Sequence, residues 1–171
     1  MTTINDPIFG TLEFDNGWTG KIEIPFLDRT FGLTINNSLG FPPGEDERQT
    51  WRTFLQRQAQ LQKAVPRAIM HWYMTNLENL RMPYTTEEEP EFAPDVTDPE
   101  QMWTLIKPSR WVWLELGHDD AGTAISVAFS SKWDEEHGLS VTFYQDQIGV
   151  SEGGAHWLDN THYDLMGALI A

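Results

Sequence analysis

The sequence predicts an α+β domain, in which an antiparallel sheet (an N-terminal meander plus C-terminal hairpins) packs against a kinked central helical segment. Three observations carry this. Alternating apolar and polar residues with turn signals occupy both ends of the chain. An apolar period of three and four residues occupies the middle. The order strands, helices, strands fits helices laid on one sheet. With 171 residues, 40% of them hydrophobic and including 8 Trp and 9 Phe, the chain is long enough for a real core. A single domain over residues 1–171 is expected.

Phe9-Gly10-Thr11-Leu12-Glu13-Phe14 and Gly20-Lys21-Ile22-Glu23-Ile24 alternate as half-buried strands do. Asp15-Asn16-Gly17-Trp18 between them is a hairpin turn, because Asn and Gly accept positive φ at little cost. Pro25 marks a strand end, a second turn lies near Leu27-Asp28-Arg29, and Thr30 to Ile35 is the next strand. Residues 36–44, with Pro42-Pro43-Gly44, form a loop. Trp51, Phe54, Leu55, Leu61, Val65, Ile69, Trp72, Tyr73, Leu77 and Leu80 then recur at helical steps. Glu45, Asp46 and Glu47 precede them, at the positive end of the helix dipole. Pro66 lacks an amide donor and crowds the preceding turn, so a kink or a junction of two helices is expected there. Trp72 and Tyr73 fall on the periodic stripe and belong to the core.

Met82-Pro83 stops the helix. Residues 82–100 then hold Glu87, Glu88, Glu89, Glu91, Asp95, Asp98 and Glu100, with Pro90, Pro94 and Pro99 and no base, which is the composition of a mobile acidic surface loop. Asp98-Pro99-Glu100 reads as an N-cap with proline at the first helical position, opening a short helix through Met102, Trp103 and Ile106. From Arg110 to Leu116, Trp111, Trp113 and Glu115 share one face, and Val112, Leu114 and Leu116 the other. Residues 117–122 are a turn, Thr123 to Ser131 a strand, 133–138 a turn and Leu139 to Tyr144 a strand. Asp146-Gln147 then turns into Ile148 to Ser151.

The net charge is −15. Residues 1–81 carry 9 acids and 8 bases, whereas residues 82–171 carry 17 acids and 3 bases (Lys107, Arg110, Lys132). A field of one sign speeds encounter with cations and repels nucleic-acid phosphates and anionic membranes. Solubility alone accounts for an acidic surface; a docking face for a basic protein is the sharper reading. The absence of cysteine excludes disulfides, Cys-based zinc sites and thiol nucleophiles. No apolar stretch reaches 18 residues, and residues 1–10 lack the basic and apolar regions of a signal peptide, so a cytoplasmic protein off the membrane is expected. Glycine-rich phosphate loops, a G-x-S-x-G elbow and a basic patch interleaved with aromatics do not occur, and no cofactor or nucleic acid is expected.

The most informative run is Trp133-Asp134-Glu135-Glu136-His137-Gly138-Leu139, in which three carboxylates, an imidazole and an indole sit between two strands. A structural turn explains part of it, since Asp134 can bond amides two residues on and Gly138 can supply positive φ. A partner-contact loop formed by Trp133, Asp134, Glu135, Glu136 and His137 is the functional reading, because loops on rigid scaffolds carry binding. A small hydrolase using His137 with Glu135 or Glu136 is the alternative; it needs a carboxylate pair with a defined gap of roughly 5–9.5 Å, which neighbours in one loop do not establish. His156, Asp159, His162 and Asp164, with His118 or His137, could hold a divalent metal, but they form no recognised metal motif and none is expected. Trp18, Trp133 and Trp157 are candidate interface anchors whose first expectation is the core.

Asp6-Pro7-Ile8-Phe9-Gly10-Thr11-Leu12, Asp15-Asn16-Gly17-Trp18-Thr19-Gly20-Lys21-Ile22 and the late Trp133-Asp134-Glu135-Glu136-His137-Gly138-Leu139-Ser140-Val141 resemble a bacterial family of small acidic uncharacterised proteins, over most of residues 6–150. Some members of such families are regarded as immunity proteins of polymorphic toxin systems. The resemblance implies an N-terminal hairpin, helices, a C-terminal hairpin and a non-enzymatic, toxin-neutralising role, and it carries no catalytic residues. The expected function is a protein-binding module that covers a basic partner, such as a cognate toxin, with its acidic half. The runner-up is the metal-dependent or hydrolytic enzyme above. A third reading is a regulatory subunit that pairs through a sheet edge.

Overall fold

The computed structural model describes residues 2–36, 40–116 and 122–153. They form one α+β body. Eight strands lie side by side in chain order: β1 (Thr2–Asp6), β2 (Gly10–Phe14), β3 (Trp18–Ile24), β4 (Arg29–Asn36), β5 (Ile106–Leu116), β6 (Thr123–Ser131), β7 (Leu139–Tyr144) and β8 (Gln147–Glu152). Every neighbouring pair is antiparallel except β4 and β5, which run parallel. A parallel pair needs a long crossover, and here it carries the helices: α1 (Glu45–Gln56), α2 (Gln58–Arg81) and the single turns α3 (Glu89–Phe92) and α4 (Met102–Leu105). The sheet is thus antiparallel as expected except at its centre, where β4 and β5 are joined by a helical segment rather than a hairpin.

The strand periodicity delivers its inward residues to one face. Leu33 and Ile35 pair with Val112 and Leu114, and Ile125 and Val127 with Phe143 and Val141. All eight are buried, and they meet Trp51, Phe54, Leu61, Ile69 and Tyr73 of the helices in one core. On the opposite face Trp111 is 47% exposed and lies across Gly32, its pairing partner in β4, where a Cβ would come within 2.6 Å of the indole ring. Trp18 belongs to the core, 2% exposed, with its Nε1–H donated to the Phe41 carbonyl at 2.7 Å. The Asp15–Gly17 turn forms as expected, with Asn16 at φ 57°.

Strand β1 has no counterpart in the periodicity reading. It pairs with β2 from Thr2–Phe14 to Asp6–Gly10. Its last residue, Asp6, caps the following turn by accepting from the Ile8 and Phe9 amides at 2.8 and 3.0 Å, and it pairs with Arg48 of α1 at 2.8 Å. Burial alone would raise the Asp6 pKa; the Arg48 hydrogen bond, the two amides and the Arg48 charge outweigh it, and the net effect holds the carboxyl below its ordinary 3.8. A depressed carboxylate stabilises the fold above its unfolded pKa and loses that contribution as pH falls through the folded value. Asp6→Asn should therefore lower stability by about 2 kcal/mol at neutral pH. It should also flatten the loss of stability below about pH 4, a difference read from urea midpoints at several pH values.

The helical break falls at Arg57 and not at Pro66. Arg57 sits at φ −98° and ψ 11°, with its amide bonded to the Phe54 carbonyl. Its guanidinium donates to the Gln145 carbonyl at 2.9 Å and pairs with Asp146 at 2.6 Å, tying the junction to the β7–β8 turn. The adjoining Gln58 spans the break, accepting from the Phe26 amide and donating to the Phe54 carbonyl. Pro66 is buried within α2, which continues through it despite the donor it lacks.

Residues 82–100 are mostly exposed but are tied to the body at several points. Arg81 donates to the Ala93 carbonyl at 2.8 Å and pairs with Asp95 at 2.8 Å. Tyr73 donates to the Pro94 carbonyl at 2.7 Å. Ala93 is fully buried and Val96 is 4% exposed. Burial is the main cause that pushes the Tyr73 phenol up to about 12. A raised phenol stabilises the fold below about pH 10 and ceases to do so as pH rises through 12. Tyr73→Phe should remove that alkaline limb and cost about 1 kcal/mol at pH 7, measured by urea denaturation at pH 7 and at about pH 11. Asp98 is the N-cap expected, accepting from the Glu100 amide at 3.0 Å, but the short helix ends at Leu105 and Ile106 already belongs to β5.

Candidate functional site: an acidic patch from two segments

Residues 133–138 are a turn built around Asp134. Ser131 at the end of β6 accepts from the Asp134 amide at 3.2 Å and donates to its carbonyl at 3.0 Å. The Asp134 carboxylate accepts from the Glu136 and His137 amides at 3.1 and 2.9 Å and lies 3.1 Å from the His137 ring nitrogen Nδ1. Short polar side chains favour this local bonding over regular strand pairing. Gly138 closes the turn at φ 64° immediately before β7, and a Cβ there would overlap the Phe129 carbonyl oxygen.

The five residues expected to meet a partner therefore divide. Trp133 is 3% exposed, its ring 4.9 Å from Tyr73 and 6.3 Å from Trp72, and it cannot offer its indole to a partner in this conformation. It completes the core because it precedes the turn and still points toward α2. Its Nε1–H is buried without a hydrogen-bond partner. Asp134 is engaged in holding the turn, while Glu135, Glu136 and His137 are exposed. Neither the cleft between α1 and β7 nor the groove over β2–β5 is lined by any of the five. Trp157, His118 and the His156–Asp164 cluster lie outside the described residues. Among the described residues no group of three or more His, Asp or Glu could hold a metal ion.

Packing of the acidic segment brings a second set of carboxylates to this turn. The Tyr84 hydroxyl donates to the Trp133 carbonyl at 2.8 Å, and its ring stacks on Phe92 at 5.0 Å. Burial raises the Tyr84 pKa, and the charges of Asp134, Glu135 and Glu88 raise it further. The phenol is thus flanked by carboxylates from segments about fifty residues apart in the chain. Glu88 is held in place by Thr85, whose amide and hydroxyl donate to its carboxylate at 2.9 and 2.8 Å and lower its pKa. Glu87, Glu88, Glu91, Glu135 and Glu136 are exposed, Lys132 is the base nearest to them in the chain, and Met82, two residues before Tyr84, is 80% exposed. Tyr84 and Glu88 were not among the expected site residues. Thr85-Thr86-Glu87-Glu88 carries the pattern of a capping box, the local signal that this segment starts a helical turn.

A family model matches residues 8–156 of the chain. The chain belongs to the DUF6985 family, a domain of unknown function. No curated protein and no solved structure matches it. The DUF6985 match spans β2 to β8 together with both acidic segments. Among the described residues of this DUF6985 domain, no helix is long and apolar enough to cross a membrane.

Proposed function

We propose that this protein is a non-enzymatic cytoplasmic binding module of the immunity or antitoxin kind, which neutralises a basic partner protein through the patch formed by residues 84–91 and 134–136. The observation that carries this reading is the Tyr84–Trp133 hydrogen bond. It fixes two acidic segments side by side on a rigid aromatic base, so their charges act together on an approaching cation. Clustered charge of one sign raises the association rate and selects against acidic partners. Met82 and the half-buried Phe92 supply apolar area next to the carboxylates, as an interface centre requires. The acidic balance of residues 82–171 gives the field its reach, over a Debye length of roughly 8 Å at physiological salt.

The test is affinity capture from the native host. Wild type should retain a basic protein that Glu87→Lys/Glu135→Lys/Glu136→Lys loses. A control, Glu13→Lys/Asp15→Lys/Glu23→Lys, changes net charge equally at exposed positions of β2, β3 and the turn between them, strands away from the β6–β7 turn in the sheet order, and should still retain it. Equal retention by both variants would count against the patch as the docking face.

A further inference from the structure

We propose that the cleft between α1 and the β6–β7 end of the sheet is a binding site for a small amine carried on an aromatic or branched apolar body. This site is separate from the acidic patch, which contributes no residue to it. The cleft encloses about 450 Å³, within the range of small-molecule sites. Its floor is Phe54, Leu61, Ile125 and Phe143, and the two phenyl rings meet edge-on at 5.0 Å. Such a floor receives a flat or branched apolar group.

Two polar features choose the rest of the ligand. Thr123 lines the cleft, is 5% exposed, and has a buried hydroxyl with no hydrogen-bond partner. Unpartnered buried hydroxyls are costly and uncommon in native proteins, and a ligand seated on this floor would supply the missing partner. The charges in the wall favour a cation. Arg57 is spent on the Gln145 carbonyl and on Asp146, so it offers little to an anion. Asp46 stands exposed at the mouth with no ion pair, in a chain of net charge −15. An ammonium group there donates to the Asp46 carboxylate and to the Thr123 hydroxyl oxygen while the apolar body covers Phe54 and Phe143.

The experiment titrates the full chain with three probes of like shape, phenethylamine, 2-phenylethanol and 3-phenylpropanoate, following backbone NMR shifts. Phenethylamine should move the resonances of Phe54, Thr123 and Phe143 in the millimolar range or below, about tenfold ahead of the alcohol, with the carboxylate silent. Asp46→Asn should erase the preference of amine over alcohol. Thr123→Val, which replaces the unpartnered hydroxyl by a methyl of the same shape, should raise Tm by about 2–4 °C while weakening phenethylamine severalfold. That pairing of gain and loss is not expected of a residue that merely packs. No shift with phenethylamine at 10 mM (about the weakest affinity of interest for so small a ligand) overturns the proposal. So does equal binding of all three probes, and so does unchanged phenethylamine affinity in Thr123→Val.

Discussion

Gly138→Ala should be the most damaging single methyl in the described fold, lowering stability by about 3–5 kcal/mol and Tm by about 10 °C. Two costs combine. At φ 64° an alanine adopts the left-handed region at a penalty of roughly 1–2 kcal/mol. The added Cβ also overlaps the Phe129 carbonyl oxygen, which is backbone of β6 and cannot rotate away. Relief requires β6 and β7 to separate where Phe129 pairs with Leu139, next to the Trp133 core contact. Gly10→Ala isolates the first cost. Gly10 has φ 71° and nothing within 4 Å of its would-be Cβ, so only the conformational penalty should appear. Urea denaturation of both variants measures the difference. Equal losses would mean that the β6–β7 turn yields easily and does not hold Glu135 and Glu136 rigidly.

The second large effect is kinetic. With the partner captured, Glu87→Lys/Glu135→Lys/Glu136→Lys should slow association by about 10–100-fold at low salt, with a smaller change in dissociation. The three side chains are exposed, and Glu88, whose carboxylate holds Thr85, is left in place, so stability should stay within about 1 kcal/mol of wild type. A stopped-flow comparison with the Glu13→Lys/Asp15→Lys/Glu23→Lys control separates local charge from net charge. Equal slowing in the two variants would attribute the effect to the whole molecule's field and deny the patch its role.

How far the sequence discloses this molecule depends on the range of each signal. Strands β2 to β4 and β6 to β8, the Asn16 turn and the Asp98 cap are legible because alternation, turn chemistry and capping act within a few residues. The parallel pairing of β4 with β5 is not, since it depends on where a crossover of some seventy residues returns the chain. The position of the helical break misleads for a similar reason. Pro66 is a strong local signal that α2 nevertheless continues through, whereas Arg57 breaks the helix through contacts with a turn at Gln145 and Asp146. In the candidate site, the turn chemistry of Asp134 and Gly138 is readable from residue type. The burial of Trp133 is not, because a tryptophan beside a polar turn can face either way until α2 is placed. The order in residues 82–100 was concealed by acidic, proline-rich composition, although Thr85 and Glu88 marked a helical turn there. Their juxtaposition with Glu135 comes from one long-range bond, Tyr84 to the Trp133 carbonyl.

The most direct test of the central claim is the ionic-strength dependence of association between wild type and its captured partner. If the patch at Tyr84 steers a basic protein, the wild-type rate should fall by at least about tenfold between roughly 50 and 500 mM salt, and the Glu87→Lys/Glu135→Lys/Glu136→Lys variant should show little of that slope. A wild-type rate that stays flat across the same range would contradict the account.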